Sequence, residues 1–114
     1  MIANRRRGEI AAELDGQEYR LCLTLGALAE LEAAYAADDL NALVERFSSG
    51  RLSALDMIRM VGAGLRGAGY EISDDQVAKM QSRNGAAGFA AIVAELLTVA
   101  FGAAEQPQSS SNPQ

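Results

Sequence analysis

The sequence contains no histidine, no tryptophan and a single cysteine in 114 residues. Without histidine, neither a Ser-His-Asp triad nor a Cys-His pair can form, and one cysteine cannot build a disulfide framework or a cysteine-rich zinc cluster. These absences exclude most familiar catalytic and metal-binding sites. We therefore expect a single compact domain that uses no cofactor and no metal ion.

Basic residues are also few, since 10 Lys and Arg stand against 15 Asp and Glu and give a net charge of −5. Three of the ten are consecutive, Arg5, Arg6 and Arg7, so the rest of the chain is more acidic than the total suggests. An acidic body matches a phosphate backbone poorly, and we expect no nucleic acid partner. We interpret residues 1–7 as a flexible basic N-terminus, although the arginines could also contact an acidic partner.

The single cysteine, Cys22, falls in a predicted strand, where a free thiol usually behaves as a small core residue. A nucleophilic role would require a base or a positive neighbour, and Arg20 is the only cation on its strand face. No apolar stretch typical of a signal peptide follows the arginines, so we expect a cytoplasmic protein. Residues 86–104 approach the length of a bilayer span, but Glu95 at their centre costs about 2.5–3.5 kcal/mol, which argues against a membrane role.

Two alternating runs, residues 8–14 and 17–24, flank Asp15-Gly16, which predicts a β-hairpin with a two-residue turn. Tyr19, Leu21 and Leu23 share one face of the second strand. Because a two-stranded hairpin is marginal alone in water, helices or a partner's strands must cover this face. Its open edge also makes a homo-oligomer by strand addition plausible.

The apolar period then lengthens to that of a helix, and polar residues mark where each helix begins. Thr24 is expected to cap the first helix, Asp38 or Asp39 the second, and Ser53 with Asp56 the third. The residues expected to face inward on these helices are Leu25, Leu28, Leu31 and Tyr35, then Leu40, Leu43, Val44 and Phe47, then Leu55, Ile58, Val61 and Leu65. The third helix runs into Gly62, Gly64, Gly67 and Gly69, which we interpret as a flexible helix end.

Ser73 and Gln76 form a further capping box, after which Asn84-Gly85 breaks the chain before a final helix at about residues 86–103. Its apolar residues are Phe89, Ile92, Val93, Leu96, Leu97 and Phe101. The predicted fold is α+β, an N-terminal β-hairpin followed by four to five helices over residues 8–104. Residues 105–114 are polar and are expected to form a disordered tail.

The carboxylate pairs Asp38-Asp39 and Asp74-Asp75 are better explained as helix caps than as metal ligands. An enzyme that uses only carboxylates with Arg20 or Arg66 stays an alternative, but no two titratable groups are placed to push their pKa values apart. We expect no catalytic residue.

Residues 23–32, LTLGALAELE, resemble the signature of a small phage-derived family of gene transfer agents and prophages, labelled a tail tube protein and also described as a tail assembly chaperone. Further elements match the pattern in order: Arg7-Gly8-Glu9, Asp15-Gly16, residues 43–46, 53–56, 63–69 and 72–75. The resemblance covers about residues 7–100.

The resemblance implies a protein that makes or breaks no bond. A tail assembly chaperone is expected to keep the long apolar tape measure protein in solution until tail tube subunits assemble around it, and other tail proteins are the alternative partners. A structural minor component of the particle, such as a tube, terminator or adaptor protein, is the rival reading. A tube subunit should be rich in strands, whereas this sequence predicts mainly helices.

The apolar residues of the final helix span a wide arc, which is typical either of burial on all sides or of a face that seeks a partner helix. The residues expected to bind a partner are Phe89, Ile92, Leu96 and Phe101, with Tyr19 and Leu21 on the sheet. The expectation is that Asp at position 92 or 96 abolishes capture of tape measure fragments without unfolding the domain.

Overall fold

An antiparallel β-hairpin begins the fold, and the computed structural model describes residues 3–102. Strand β1 (Glu9–Leu14) pairs with β2 (Gln17–Cys22), with Leu14 opposite Gln17 and Glu9 opposite Cys22. Asp15 and Gly16 join the strands with φ of 53° and 76°, the two positive values that a type I′ turn requires. The predicted hairpin and its turn are confirmed.

Five helices follow the hairpin within the described residues. They are α1 (Leu25–Tyr35), α2 (Leu40–Ser48), α3 (Ala54–Gly67), the single turn α4 (Asp74–Val77) and α5 (Gly85–Phe101). The α+β class predicted from the sequence is therefore confirmed.

Polar caps fix the start of four helices as predicted. The side chains of Thr24 and Asp39 accept hydrogen bonds from the amides of Ala27 and Ala42, so Asp39 rather than Asp38 caps α2. Ser53 with Asp56, and Ser73 with Gln76, form reciprocal capping boxes at α3 and α4. The start of α5 differs, because the side chain of Asn84 makes no capping hydrogen bond.

The core lies where one face of the hairpin meets α3 and α5. Helix α3 packs against β2, α1, α4 and α5 and is the central element. The largest fully buried side chains are Ile10, Leu14, Leu21, Leu31, Leu43, Met60, Val61, Leu65, Val93 and Leu96. Burying side chains of this size contributes about 1.5–3 kcal/mol each to the stability of the folded chain.

Two glycines of α3 allow its close approach to the hairpin. A Cβ at Gly64 would lie 2.9 Å from a methyl carbon of Leu96 and 3.2 Å from Leu21, and a Cβ at Gly67 would overlap the carbonyl oxygen of Cys22. The expectation of a flexible helix end is therefore wrong here, because α3 continues through both glycines to Gly67 and uses their missing side chains for packing.

Three residues of α2 and α3 that were expected to face inward are exposed instead: Leu40 (38%), Val44 (37%) and Leu55 (50%). The helical period is right, since Leu43 and Phe47 on α2 are buried. In the first turn of α3, however, the inward position belongs to Asp56, which is 2% exposed, so the buried face is turned by one residue from the predicted one. Leu25, another residue expected inside, is 79% exposed.

Part of the predicted flexible N-terminus has a defined conformation. Arg5–Arg7 form a 3-10 turn capped by Asn4, and the guanidinium of Arg5 pairs with Glu95 of α5. The predicted tail, residues 105–114, lies outside the described residues. Among residues 3–102, no helix has both the length and the apolar character that crossing a bilayer requires.

Candidate functional site

The four partner-binding candidates on α5 differ in burial. Leu96 is fully buried beneath α3, so it has no surface to offer a partner in this fold. Phe89, Ile92 and Phe101 are half-buried and pack against the edge of the core. The expectation for Leu96 is corrected, since its side chain fills the space that Gly64 leaves open.

The two candidates on the hairpin also differ in burial. Leu21 is fully buried and contacts the same Gly64. Tyr19 is half-buried, and its ring lies edge-on to that of Tyr70 with centroids 5.2 Å apart. Leu21 is therefore a core residue, and the six candidates do not form one continuous surface.

One of the remaining candidates, Phe89, lines an apolar groove of about 450 Å³ that the structure leaves unfilled. Its walls come from the first half of α3, from α4 with the loop after it, and from the start of α5. The lining residues are Ala54, Met57, Ile58, Val77, Ala78, Met80, Gln81, Ser82, Gly85, Ala86 and Phe89. Within residues 3–102, no charged side chain belongs to this lining, which suits an apolar ligand.

The wall formed by α4 is held in place by one arginine. The guanidinium of Arg66 on α3 donates to a carboxylate oxygen of Asp74 and to the carbonyl oxygen of Ile72, both at 3.0 Å, and to Glu30 at 2.8 Å. The hydrogen bonds that Arg66 donates to Glu30 and Asp74 raise its pKa, against the opposing effect of burial. Arg66 thus links α1, α3 and α4 and positions the wall that α4 contributes to the groove.

The loop between α4 and α5 is fastened as well. Ser82 donates its hydroxyl hydrogen to the carbonyl oxygen of Gly85 at 2.6 Å. A Cβ at Gly88 would overlap the Ser82 hydroxyl, so the loop lies close against the first turns of α5. Sequence reasoning missed this groove, although the pair Met57 and Met80 beside short helices is a usable signal, because methionine is frequent on adaptable binding surfaces.

The groove continues into a second, polar depression. Gln81 and Ser82 belong to both, and the other residues lining the second are Glu13, Asp15, Gly16 and Arg83. Asp15 exchanges two hydrogen bonds with Gln81, one accepted by its carboxylate at 2.9 Å and one donated by its amide at 2.8 Å. Arg83 pairs with Glu13 at 3.0 Å. This end of the combined surface carries two carboxylates against one guanidinium.

A second cluster of polar side chains surrounds the buried carboxylate of Asp56. It accepts hydrogen bonds from the Tyr35 hydroxyl at 2.5 Å, from Arg46 at 3.2 Å and from the Ser53 amide at 2.9 Å. Burial alone raises the pKa of Asp56, but the hydrogen bonds from Tyr35 and Ser53 and the charge of Arg46 outweigh it, so the pKa falls below 3.8. This cluster joins α1, α2 and α3 and is structural.

The described residues give little support to metal or thiol chemistry. Residues 3–102 include no group of three or more His, Cys, Asp or Glu placed to hold a metal ion. Burial and the nearby Glu9 raise the pKa of the Cys22 thiol, despite the opposing charges of Arg7 and Arg20. A raised pKa leaves less thiolate at neutral pH, and the thiolate is the nucleophilic form.

The two edges of the hairpin are unequal. On β2, the Arg20 amide donates to the Tyr70 hydroxyl at 3.3 Å, and Gly67 packs against the Cys22 carbonyl. On β1, the Glu9 amide donates to the Asn4 carbonyl oxygen at 3.0 Å. In an antiparallel ladder, alternate residues point their backbone N–H and C=O groups away from the partner strand. In β1, apart from Glu9, these residues are Ala11 and Glu13, so any strand addition has only this short segment to use.

Family-level similarity adds to this geometry. Residues 7–103 match the family model described as phage tail tube protein, GTA-gp10. The chain belongs to that family. No curated protein and no solved structure is significantly similar to it. Family membership makes the chain a phage tail-related protein of the gene transfer agent type, which was the resemblance found in the sequence.

Proposed function

We propose that this protein is a tail assembly chaperone, which binds the tape measure protein during tail morphogenesis in the cytoplasm of the producing cell and catalyses no reaction. The observation that carries the proposal is the unfilled apolar groove in a small acidic member of a tail protein family. A chaperone of this kind requires an apolar surface for its client.

The physical demands on such a chaperone agree with the composition of this chain. Until the tube forms, nothing covers the apolar client segment. It therefore needs a temporary apolar contact that keeps it from aggregating. A net charge of −5 on the chaperone opposes self-association of the complex. A groove of about 450 Å³ holds a few side chains only, which favours an affinity weak enough for release.

A structural role in the finished particle is the second candidate, and the family description, tail tube protein, favours it. Tube subunits that assemble through their sheets need strand edges for lateral pairing. The part of the chain that the structure describes has two strands, and its open edge is limited to Ala11 and Glu13. This short edge is the reason that we prefer the chaperone.

Two measurements test the proposal. Co-expression with the tape measure protein of the same gene cluster should yield a complex that co-purifies, and mass spectrometry of purified particles should find this chain nearly absent. Stoichiometric presence in the particles would overturn the chaperone in favour of the structural component. Failure of the wild-type chain to retain the tape measure protein would also overturn it.

A further inference from the structure

We propose that the apolar groove and the polar depression beside it act as one recognition surface for an amphipathic helical segment whose apolar side chains are followed by a lysine or arginine. The inference rests on the proposed function, because the segment is assigned to the tape measure protein. It goes beyond that function by naming the chemistry of the segment.

The apolar half of this surface is built to accept side chains. Val77 forms its buried floor, with 2% exposure, and Met57, Ile58, Met80 and Phe89 are half-buried around it. Unbranched methionine side chains adapt to ligands of different shape. An amphipathic helix presents apolar side chains three and four residues apart, which is the spacing a groove between helices receives.

The polar half selects by charge. Among the described residues that line the depression, Glu13 and Asp15 are balanced by Arg83 alone, which leaves an excess of negative charge. The side chains of Arg83 and Glu13 are 76% and 45% exposed, and exposed ion pairs of this kind contribute only about 0–1 kcal/mol. A cation from a ligand can therefore replace or join Arg83 at little cost.

Two candidate occupants from the chain itself, residues 103–114 and α1 of a second copy, fit this surface less well. Residues 103–114 carry alanine and proline as their only apolar types, so they have no large side chain for the groove. A second copy would bring the exposed Leu25 of α1, but α1 carries Glu30 and Glu32 and no basic residue. Its carboxylates would meet those of the depression, and like charges disfavour this contact.

Two pairs of variants of the full chain separate the apolar from the charged contribution. Ala86→Glu fills the groove, whereas Ala87→Glu places the same side chain outside the lining residues, and both positions are exposed in the first turn of α5, where acids are tolerated. Glu13→Gln with Asp15→Asn removes the negative charge while Asn keeps an acceptor for Gln81 and tolerates the positive φ of residue 15. Asp38→Asn with Glu45→Gln is the matched control at exposed acids away from the surface.

The probes are two synthetic amphipathic peptides that share the same helical sequence of leucine and alanine. Lysines flank this sequence at both ends in one peptide, and glutamates flank it in the other. Fluorescence anisotropy should show that the wild-type chain binds the lysine peptide about tenfold more tightly. Glu13→Gln with Asp15→Asn should reduce this preference to about threefold or less, and the control pair should retain it.

Ala86→Glu should weaken binding at least about tenfold and Ala87→Glu less than about twofold. Equal affinities for the two peptides, or equal effects of the two alanine variants, would overturn the inference.

Capture of the tape measure protein distinguishes this inference from the proposed function. If the wild type and Ala86→Glu capture it equally well, the chaperone function stands and the groove is not its recognition surface. If the peptides behave as expected but the wild type captures no tape measure protein, the groove chemistry stands and the assigned partner is wrong.

Discussion

Gly67 of α3 lies so close to the carbonyl oxygen of Cys22 at the end of β2 that any side chain at position 67 would overlap it. This contact sets the distance between the central helix and the hairpin. One turn earlier, the missing side chain of Gly64 lets Leu21 and Leu96 pack directly against α3. The two glycines thus fix the geometry around which the rest of the core packs.

Gly67→Ala is therefore expected to destabilise the fold by at least about 2 kcal/mol, because the helix and the strand must separate to admit the methyl group. Urea unfolding followed by circular dichroism measures the change. Gly26→Ala is the matched control, since a Cβ at Gly26 meets only the Thr24 hydroxyl oxygen at 3.8 Å. It should stabilise α1 by up to about 1 kcal/mol. Equal stability of Gly67→Ala and the wild type would contradict the prediction, because it would show that α3 and β2 separate at little cost.

The sequence predicts well what neighbouring residues decide among themselves. The turn at Asp15-Gly16 requires only two residues that accept positive φ, and the capping boxes of Ser53 and Ser73 require only a partner three residues away. The sequence therefore locates the hairpin and most helix starts.

Sequence periodicity does not reveal which neighbours a helix face meets. Leu55 follows the helical period of α3, yet it is exposed because Asp56 takes the inward position and bonds Tyr35 from α1. The glycines of α3 suggest weakness in isolation and allow close packing once β2 and α5 are present. Neither fact can be derived without the contacts between distant segments.

The candidate site shows the same limit. Phe89 was found from the sequence because it belongs to the helical apolar pattern of α5. Leu96 belongs to the same pattern and Leu21 to the alternation of β2, yet both are core residues. The groove itself depends on the position of α4, which Arg66 sets through residues on α1 and α4. No local pattern encodes a space between three elements.

Leu96→Asp is now expected to unfold the domain, contrary to the sequence-based expectation, because a carboxylate would replace a fully buried side chain. The loss should be about 3–5 kcal/mol or more. Ala94→Asp is the control on the exposed side of the same helix and should change stability by less than about 1 kcal/mol. Thermal unfolding compares the two, and a folded Leu96→Asp domain would contradict the core described here.

Arg66→Lys is expected to loosen α4 more than the domain as a whole. Lysine keeps the charge but cannot reach Glu30, Asp74 and the Ile72 carbonyl together, because it lacks the planar fork of guanidinium donors. Hydrogen exchange should speed up in residues 73–82 while the amides of β1 stay protected. Arg51→Lys, a change at an exposed arginine between α2 and α3, should leave both unchanged. Uniform acceleration across the chain would indicate global destabilisation instead.

The buried carboxylate of Asp56 predicts a loss of stability in acid. Its pKa is below 3.8 in the folded chain, so the ionised form stabilises the fold above the ordinary carboxyl pKa, and this contribution is lost as the pH falls through the folded value. Asp56→Asn should remove that part of the acid dependence and cost about 2–3 kcal/mol at neutral pH. Asp75→Asn, at an exposed acid of α4, should retain the acid dependence. The check is urea unfolding between neutral pH and about pH 3, and an unchanged slope in Asp56→Asn would contradict the prediction.

The hydroxyl of Tyr35 predicts a loss of stability in alkali. Burial and the hydrogen bond to Asp56 raise its pKa from 10.0 to about 12, although Arg59 lowers it. Because the folded value is the higher one, the stability that this group contributes is complete below pH 10.0 and is lost as the pH rises toward about 12. Tyr35→Phe should be less stable at neutral pH by about 1–3 kcal/mol, since Asp56 loses a donor, and should show a smaller decline in alkali. Ultraviolet titration of the folded wild type should contain a late phenolate step that Tyr35→Phe lacks, and persistence of that step would assign it to another tyrosine.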